Sequence, residues 1–325
     1  MLEVLTLLVR ANVIGALAVL VVMIARLPVR RVFGAQIAYQ LWLIAPLVLC
    51  ASLVPAIEAA SESQAIAITA AFAALLPSPL EGLRNLFTAS ELTWVWAGGV
   101  ALALGLMALS QRRFLRFEKM GRAGPALVGV ICPRIVTPRG YAEQFSDPER
   151  ALVRAHERAH IDRGDPKINA AMALAQCLFW FNPLVHLATR LVRIDQELAC
   201  DAVVINSRPG SRRLYAQTLL KTQMATAIPP LGCHWAAHPL EARIRMLGVS
   251  RPSVRRHRAG IGGISALGLT LAIGAWAAQP LSPPHRAPFV PLAQRQVFAF
   301  EGRPAIVMIS LSAEEVRALP HPQNP

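Results

Sequence analysis

His156-Glu157-Arg158-Ala159-His160 is a His-Glu-x-x-His run near the end of a polar, helix-like segment. Residues four apart share one face of an α-helix, so both imidazoles can turn toward one ion. The glutamate beside the first histidine can reach a water held there and take its proton. Two neutral imidazoles, a carboxylate base and an open position are what catalytic Zn²⁺ requires. The competing reading is an exposed helix that happens to carry two histidines. His234 and His238 supply the internal contrast, being also four apart but lacking the glutamate between them. The segment is bounded as a helix should be: Asp147 reads as N-cap, Pro148 as the first helical residue, and Gly164 as the stop.

The rest of the chain is unlike that of an ordinary soluble enzyme. Hydrophobic residues make up 54% of it and charged residues only 16%. Four apolar stretches account for this, at about residues 5–25, 35–57, 92–109 and 259–278. Each approaches the ~20 apolar residues a helix needs to cross the hydrocarbon core. A chain of 325 residues offers no core large enough to hide four such helices. The first stretch lacks a basic start and is followed by Arg26, Arg30 and Arg31, which favours a retained anchor over a cleaved signal peptide.

Charge asymmetry sets an orientation. Arg26, Arg30 and Arg31 lie between spans one and two, Arg112, Arg113, Arg116 and Lys119 follow span three, and Arg251, Arg255, Arg256 and Arg258 precede span four. The link 58–91 instead carries Glu58, Glu62, Glu81 and Glu91 against Arg84 alone. The positive-inside rule then puts the N-terminus outside, residues 111–258 in the cytoplasm and the tail 279–325 outside. The expected location is the cytoplasmic (inner) cell membrane. Residues 111–258 hold 24 Lys+Arg and 11 Asp+Glu, nearly all of the net charge of +14. With no nucleic-acid motif and no aromatic-interleaved basic patch, this charge fits anionic headgroups, and no direct nucleic-acid partner is expected. Cys50, Cys132, Cys177, Cys200 and Cys233 show no C-x-x-C spacing and imply no disulfide framework.

The expected organisation is therefore a membrane region at 1–110 with three spans, a loop domain at 111–258, a fourth span at 259–278 and a short tail at 279–325. Ala65–Leu76 is apolar but half a span long and reads as an interfacial or re-entrant helix. Residues 126–131 and 134–137 are β-branched runs broken by Gly and Pro and read as short strands. Residues 168–181 are apolar all round, a core helix of the loop domain or a helix dipping into the bilayer. Asn182-Pro183 breaks that run, and further helices are expected at about 184–206, 215–226 and 240–247. In the tail, Val297–Phe300 and Ala305–Leu311 suggest a hairpin around Gly302.

Zinc needs a third protein ligand. Glu197 lies 37 residues after His160 in an amphipathic helix, with Asp201 four residues on. It reaches a metal only if its helix packs beside that of the histidines; otherwise it is a helix-surface partner for Arg193. Beyond these residues, the chain resembles the membrane metallopeptidases of the BlaR/MecR-like β-lactam sensor-transducer family. The matching residues are Pro133-Arg134-Ile135-Val136-Thr137-Pro138, then His156 through Asp165, Phe181-Asn182-Pro183-Leu184, and Asp195 through Asp201. The resemblance implies a mainly α, polytopic membrane protein with a cytoplasmic, zincin-like (gluzincin) peptidase domain and a few short strands. It implies one Zn²⁺ per chain held by His156, His160 and Glu197, with Glu157 as catalytic base. Asp165 and Asp201 match acidic positions near the site, where a carboxylate holds a ligand histidine in one tautomer.

His238-Pro239-Leu240-Glu241-Ala242-Arg243 also resembles a downstream segment of the membrane zinc proteases of the HtpX kind. This makes His238 and Arg243 candidates for contact with substrate or the oxyanion, against the plain reading of a helix start after Pro239. One departure counts heavily. The antibiotic sensors carry an outer penicillin-binding domain with a Ser-x-x-Lys nucleophile. The 47 residues from 279 on contain no lysine, so the chain is not expected to be a covalent β-lactam sensor itself. The expected function is an integral-membrane zinc endopeptidase acting on a cytoplasmic or membrane protein, in signal transduction through a transcriptional repressor. Expected partners are that substrate, the lipid bilayer and a separate sensor protein. The alternatives are a non-proteolytic signalling or scaffold protein with a relic zinc site, and a constitutive membrane quality-control protease.

Overall fold

The computed structural model describes residues 2–54, 88–222, 233–234, 240–249, 252–278, 298–300 and 303–305. They belong to two compact units, Met1–Pro280 and Leu281–Pro325. The first unit is mainly helical, and four of its helical stretches are long and apolar enough to cross a membrane: Leu7–Phe33, Ala35–Leu53, Ala89–Lys119 and Val254–Ala277. Helix α1 (Leu2–Phe33) contains the first. The second is built from α2 (Ala35–Gln40), a 3₁₀ turn at Leu41–Leu43 and α3 (Ile44–Leu53). Helix α4 (Ala89–Lys119) is longer than the apolar run that announced it. Its start is fixed by a capping box in which Thr88 and Glu91 bond reciprocally. The segment Ala65–Leu76 lies outside the described residues.

Downstream of α4 come strands β1 (Ala126–Val128) and β2 (Arg134–Val136), then helices α5 (Tyr141–Gln144), α6 (Asp147–Arg163), α7 (Asp165–Leu178) and α8 (Pro183–Ser207). A 3₁₀ turn leads into α9 (Arg212–Thr222), followed by β3 (Cys233–His234), α10 (Leu240–Leu247) and the last span, α11 (Val254–Ala277). Strands β1 and β2 pair antiparallel, Leu127 opposite Ile135, as their β-branched pattern predicts. The third strand was not legible: β3 pairs with the other edge of β1, Leu127 opposite Cys233. The β1–β2 turn depends on Gly129 at φ 100°, where a Cβ would lie 2.6 Å from the Cys132 carbonyl oxygen. In the second unit, β4 (Phe298–Phe300) and β5 (Arg303–Ala305) form a hairpin whose second strand starts two residues earlier than expected.

The spans pack as membrane helices do, through small residues. A Cβ at Gly260 of α11 would sit 3.0 Å from Phe33, and one at Gly268 would sit 3.4 Å from Ile44 and Leu47. A Cβ at Gly260 would thus crowd α1, while one at Gly268 would meet α3 at ordinary contact distance. Leu102, Leu106 and Leu109 of α4 stand exposed, as suits a surface solvated by lipid.

The segment 168–181, ambiguous in sequence, belongs to a helical hairpin of α7 and α8 lying among the spans. The indole N–H of Trp96 donates to the carbonyl of Leu178 at 2.9 Å, and the Trp180 ring covers Gly99. The Asn182 amide donates to Asn12 of α1 at 2.7 Å, while its own oxygen caps α8 at Leu184. Asn12 and Trp96 lie inside two of the candidate spans, so the hairpin tip packs against the helices long and apolar enough to cross a membrane. One apolar cluster joins Val19, Val22, Leu41, Trp42 and Ile44 of the spans to Val192 and Ala199 of α8. Another joins Leu152, Val153, Val204, Ile205, Tyr215 and Leu219. Helix α8 thus runs from the membrane-side core into the core around α6 and α9.

Candidate metal centre

Helix α6 presents the His-Glu-x-x-His run. Its N-terminus is capped by Ser146, one residue earlier than expected, because Glu149 reaches back to accept from both the Ser146 backbone N–H (2.8 Å) and its hydroxyl (3.0 Å). Asp147 instead pairs with Arg150 on the surface. Gly164, at φ 72°, ends α6 in the left-handed conformation and turns the chain directly into α7, so Asp165 opens the next helix. Helices α6 and α8 lie side by side. All of His156, Glu157, His160, Asp165, Glu197 and Asp201 are buried.

His156, His160 and Glu197 converge, with a ligand atom from each lying within 4.8 Å of the others. The two Nε2 atoms are 3.1 Å apart. Glu197 Oε2 lies 3.2 Å from His156 Nε2, and its Oε1 lies 3.5 Å from His160 Nε2. The groups behind the rings fix their tautomers. Asp165 Oδ2 accepts from His160 Nδ1 at 2.7 Å. The Tyr215 hydroxyl gives its proton to Asp201 Oδ1 (2.7 Å), which leaves its oxygen to accept from His156 Nδ1 at 2.9 Å. Both Nδ1 atoms therefore carry hydrogen, and both Nε2 atoms are lone pairs facing each other and a carboxylate. Three converging acceptors without a hydrogen between them repel unless a cation lies among them, so the donor set fits a divalent metal such as zinc.

Glu157 completes the arrangement. Neither of its carboxylate oxygens has a hydrogen-bond partner among the described residues, although both are buried. Burial pushes its pKa above the usual carboxylate value. Glu197 is equally buried but shifts the other way, because against desolvation the Arg243 guanidinium holds its pKa well below normal. Asp201 is likewise drawn down to about 2, with burial opposed by the two-pronged contact of Arg243.

Arg243 itself is buried. Its guanidinium spans Asp201, at 2.8 and 2.6 Å, and Glu197, at 3.1 Å. It thus touches both the candidate ligand Glu197 and the Asp201 carboxylate behind His156. His238 lies outside the described residues, as do the side chains of Cys233 and His234.

Several contributors escaped sequence reading. Tyr215 had no signal beyond being an aromatic in a polar helix. Cys200 sits 3.3 Å from His160 Nδ1 and, with His160 and Asp165, forms a second cluster; burial raises its thiol to about 11. Asp195 is buried and held by Arg26 (2.9 and 3.0 Å), Arg30 (3.4 Å) and the indole of Trp42 (2.8 Å). Arg26 and Arg30 were read only as a charged flank. The legible hint was a set of polar residues, Gln36, Tyr39 and Gln40, spaced on one face of an apolar span.

A buried His-His-Glu centre beside a free carboxylate, in a helical protein with several membrane spans, defines a class of membrane metallopeptidase. The family model described as BlaR1 peptidase M56 matches residues 6–122 and 118–247, and the chain belongs to that family. It is similar to the regulatory protein BlaR1 of Bacillus licheniformis, with 34% identity over 98 residues, 30% of this chain and 16% of that protein. It is also similar to the methicillin resistance mecR1 protein of Staphylococcus aureus (strain Mu50 / ATCC 700699), with 26% identity over 98 residues, 30% of this chain and 17% of that protein. The matched stretch is thus about a sixth of the length of these curated relatives.

Proposed function

We propose that this chain is an integral-membrane zinc endopeptidase of zincin-like fold whose site faces the cytoplasm. The observation that carries the reading is the convergence of the two Nε2 lone pairs and the Glu197 carboxylate next to a buried, unbonded Glu157. His156, His160 and Glu197 would hold the ion. Bound zinc supplies Lewis acidity, lowering the pKa of water and polarising a peptide carbonyl. Glu157 takes the proton of the attacking water and passes it to the leaving amine. Asp165, and Asp201 through Tyr215, keep each imidazole in the tautomer that offers Nε2. Arg243 offsets the negative charge of Glu197 and Asp201. Strand β2 offers an edge on which an extended substrate can pair as an added strand.

The cytoplasmic orientation rests on the basic flanks of the spans. A protein substrate, and a transcriptional repressor in particular, rests on the resemblance to the sensor-transducer family and on the regulatory and resistance names of the relatives. The test measures zinc content together with cleavage of the chain itself and of candidate repressors, in wild type and Glu157→Gln. Cleavage by wild type and not by the variant is expected. Equal cleavage by both ends the proteolytic reading.

A further inference from the structure

The geometry points to Tyr39, in the second candidate membrane span, as a positioning residue for the metal ligand His160. This rests on the reading of His156, His160 and Glu197 as ligands. The Tyr39 hydroxyl donates to Asp165 Oδ1 at 2.8 Å, and the other oxygen of that carboxylate holds His160 Nδ1 at 2.7 Å. The phenol oxygen in turn accepts from Gln196 Nε2 at 3.0 Å, and Gln196 is the residue next to Glu197. One hydroxyl on α2 thus ties the support of one ligand to the helix that supplies another.

Asp165 is fully buried, and besides the phenol and His160 it has only longer contacts, Arg163 Nη2 at 3.6 Å from Oδ1 and the Cys200 thiol at 3.8 Å from Oδ2. Without the phenol, Oδ1 loses its one short bond and the carboxylate is held less firmly against His160. Tyr39 is itself pinned, since the Arg163 guanidinium lies 4.3 Å over its ring. Three residues along the same span, Trp42 donates to Asp195, two residues before Glu197. The span therefore grips α8 at two adjacent residues, Asp195 and Gln196, immediately before Glu197. A carboxylate behind a ligand histidine sets metal affinity by fixing the ring, and whatever fixes the carboxylate acts through it.

The test uses the full-length chain in detergent micelles and reads zinc affinity by chelator competition and the visible spectrum of the cobalt-substituted protein. Tyr39→Phe keeps the ring and its stacking. It should weaken zinc about 10-fold, the lower end of the loss expected for a supporting partner, and shift the cobalt bands. Asp165→Asn should weaken zinc at least as much, and adding Tyr39→Phe to it should cost nothing more. Gln196→Met should give a smaller loss in the same direction.

Wild-type affinity and an unchanged cobalt spectrum in both Tyr39→Phe and Gln196→Met would overturn the proposal. Additive losses in the double variant would overturn it too, because Tyr39 would then act through general packing. A wild-type chain that binds neither metal would overturn the metal-centre reading and this proposal with it. Tight wild-type binding matched by Tyr39→Phe would overturn the proposal alone.

Discussion

The two histidines of the site are chemically alike and are held from opposite sides. His156 is backed by Tyr215 of α9 and Asp201 of α8, with Arg243 of α10 behind them, all from the region after α4. His160 is backed by Asp165, which is held by Tyr39 of the second candidate span. Both backing acids come from the region after α4, but only the one behind His160 is held in turn by a candidate membrane span. The His156 half is a dense ionic network, two carboxylates sharing one buried arginine. The His160 half is a chain of single bonds through a phenol.

Five comparisons sharpen or break this contrast. Glu157→Gln removes the group that stands between the halves while leaving both intact. Peptide hydrolysis should fall by about 10²–10⁴-fold with zinc content unchanged, read from a cleavage assay beside metal analysis. Arg243→Met strips the His156 half of its cation and leaves Glu197 and Asp201 buried together. Breaking a buried pair from one side costs about 3–5 kcal/mol, to be seen as a lowered unfolding midpoint in detergent. Arg26→Met attacks the membrane side and should cost less, because Asp195 keeps Arg30 and Trp42.

A smaller effect separates the two supporting acids. Asp165→Asn and Asp201→Asn should each weaken zinc by about 10–100-fold in chelator competition. The second should also lower the unfolding midpoint more, since it alone deprives Arg243 of an anion. Equal midpoints for the two variants would break the contrast. Smallest is Ser146→Ala, which removes one bond of the α6 cap far from either half. It should destabilise by about 1 kcal/mol in denaturant titration and leave zinc affinity at the wild-type value.

Legibility in the sequence followed the range of the interaction. The four apolar stretches, the α6 boundaries near Pro148 and Gly164 and the first two strands are local patterns, and they appear close to where they were expected. Glu197 could be nominated by spacing but needed the family resemblance, because helix packing is not written in a period. Asp165 and Asp201 likewise entered through resemblance, and the structure brings both beside the histidines.

Tyr39, Tyr215 and the Arg26–Asp195 pair were invisible for one physical reason. Each joins residues far apart in the chain, and each looked ordinary in its own segment. Arg26 shows how a correct local rule hides a second role, since a flanking charge also sits buried in an ion pair at 2.9 Å. Residues 168–181 were ambiguous because periodicity cannot say whether an apolar helix faces protein or lipid; the structure adds its contacts with Trp96 and Asn12.

The hairpin tip has a consequence for biosynthesis. Helix α7 spans 14 residues, about 21 Å, and falls short of a membrane crossing. The Asn182 side-chain N–H and the carbonyl of Leu178 find partners on Asn12 and Trp96, which lie in candidate spans synthesised earlier. The seat of the hairpin on α1 and α4 is therefore made before the hairpin itself. Since Asp165 and Glu197 sit on its two arms, the histidines on α6 leave the ribosome before Glu197, and the candidate centre is complete only once α8 has been synthesised.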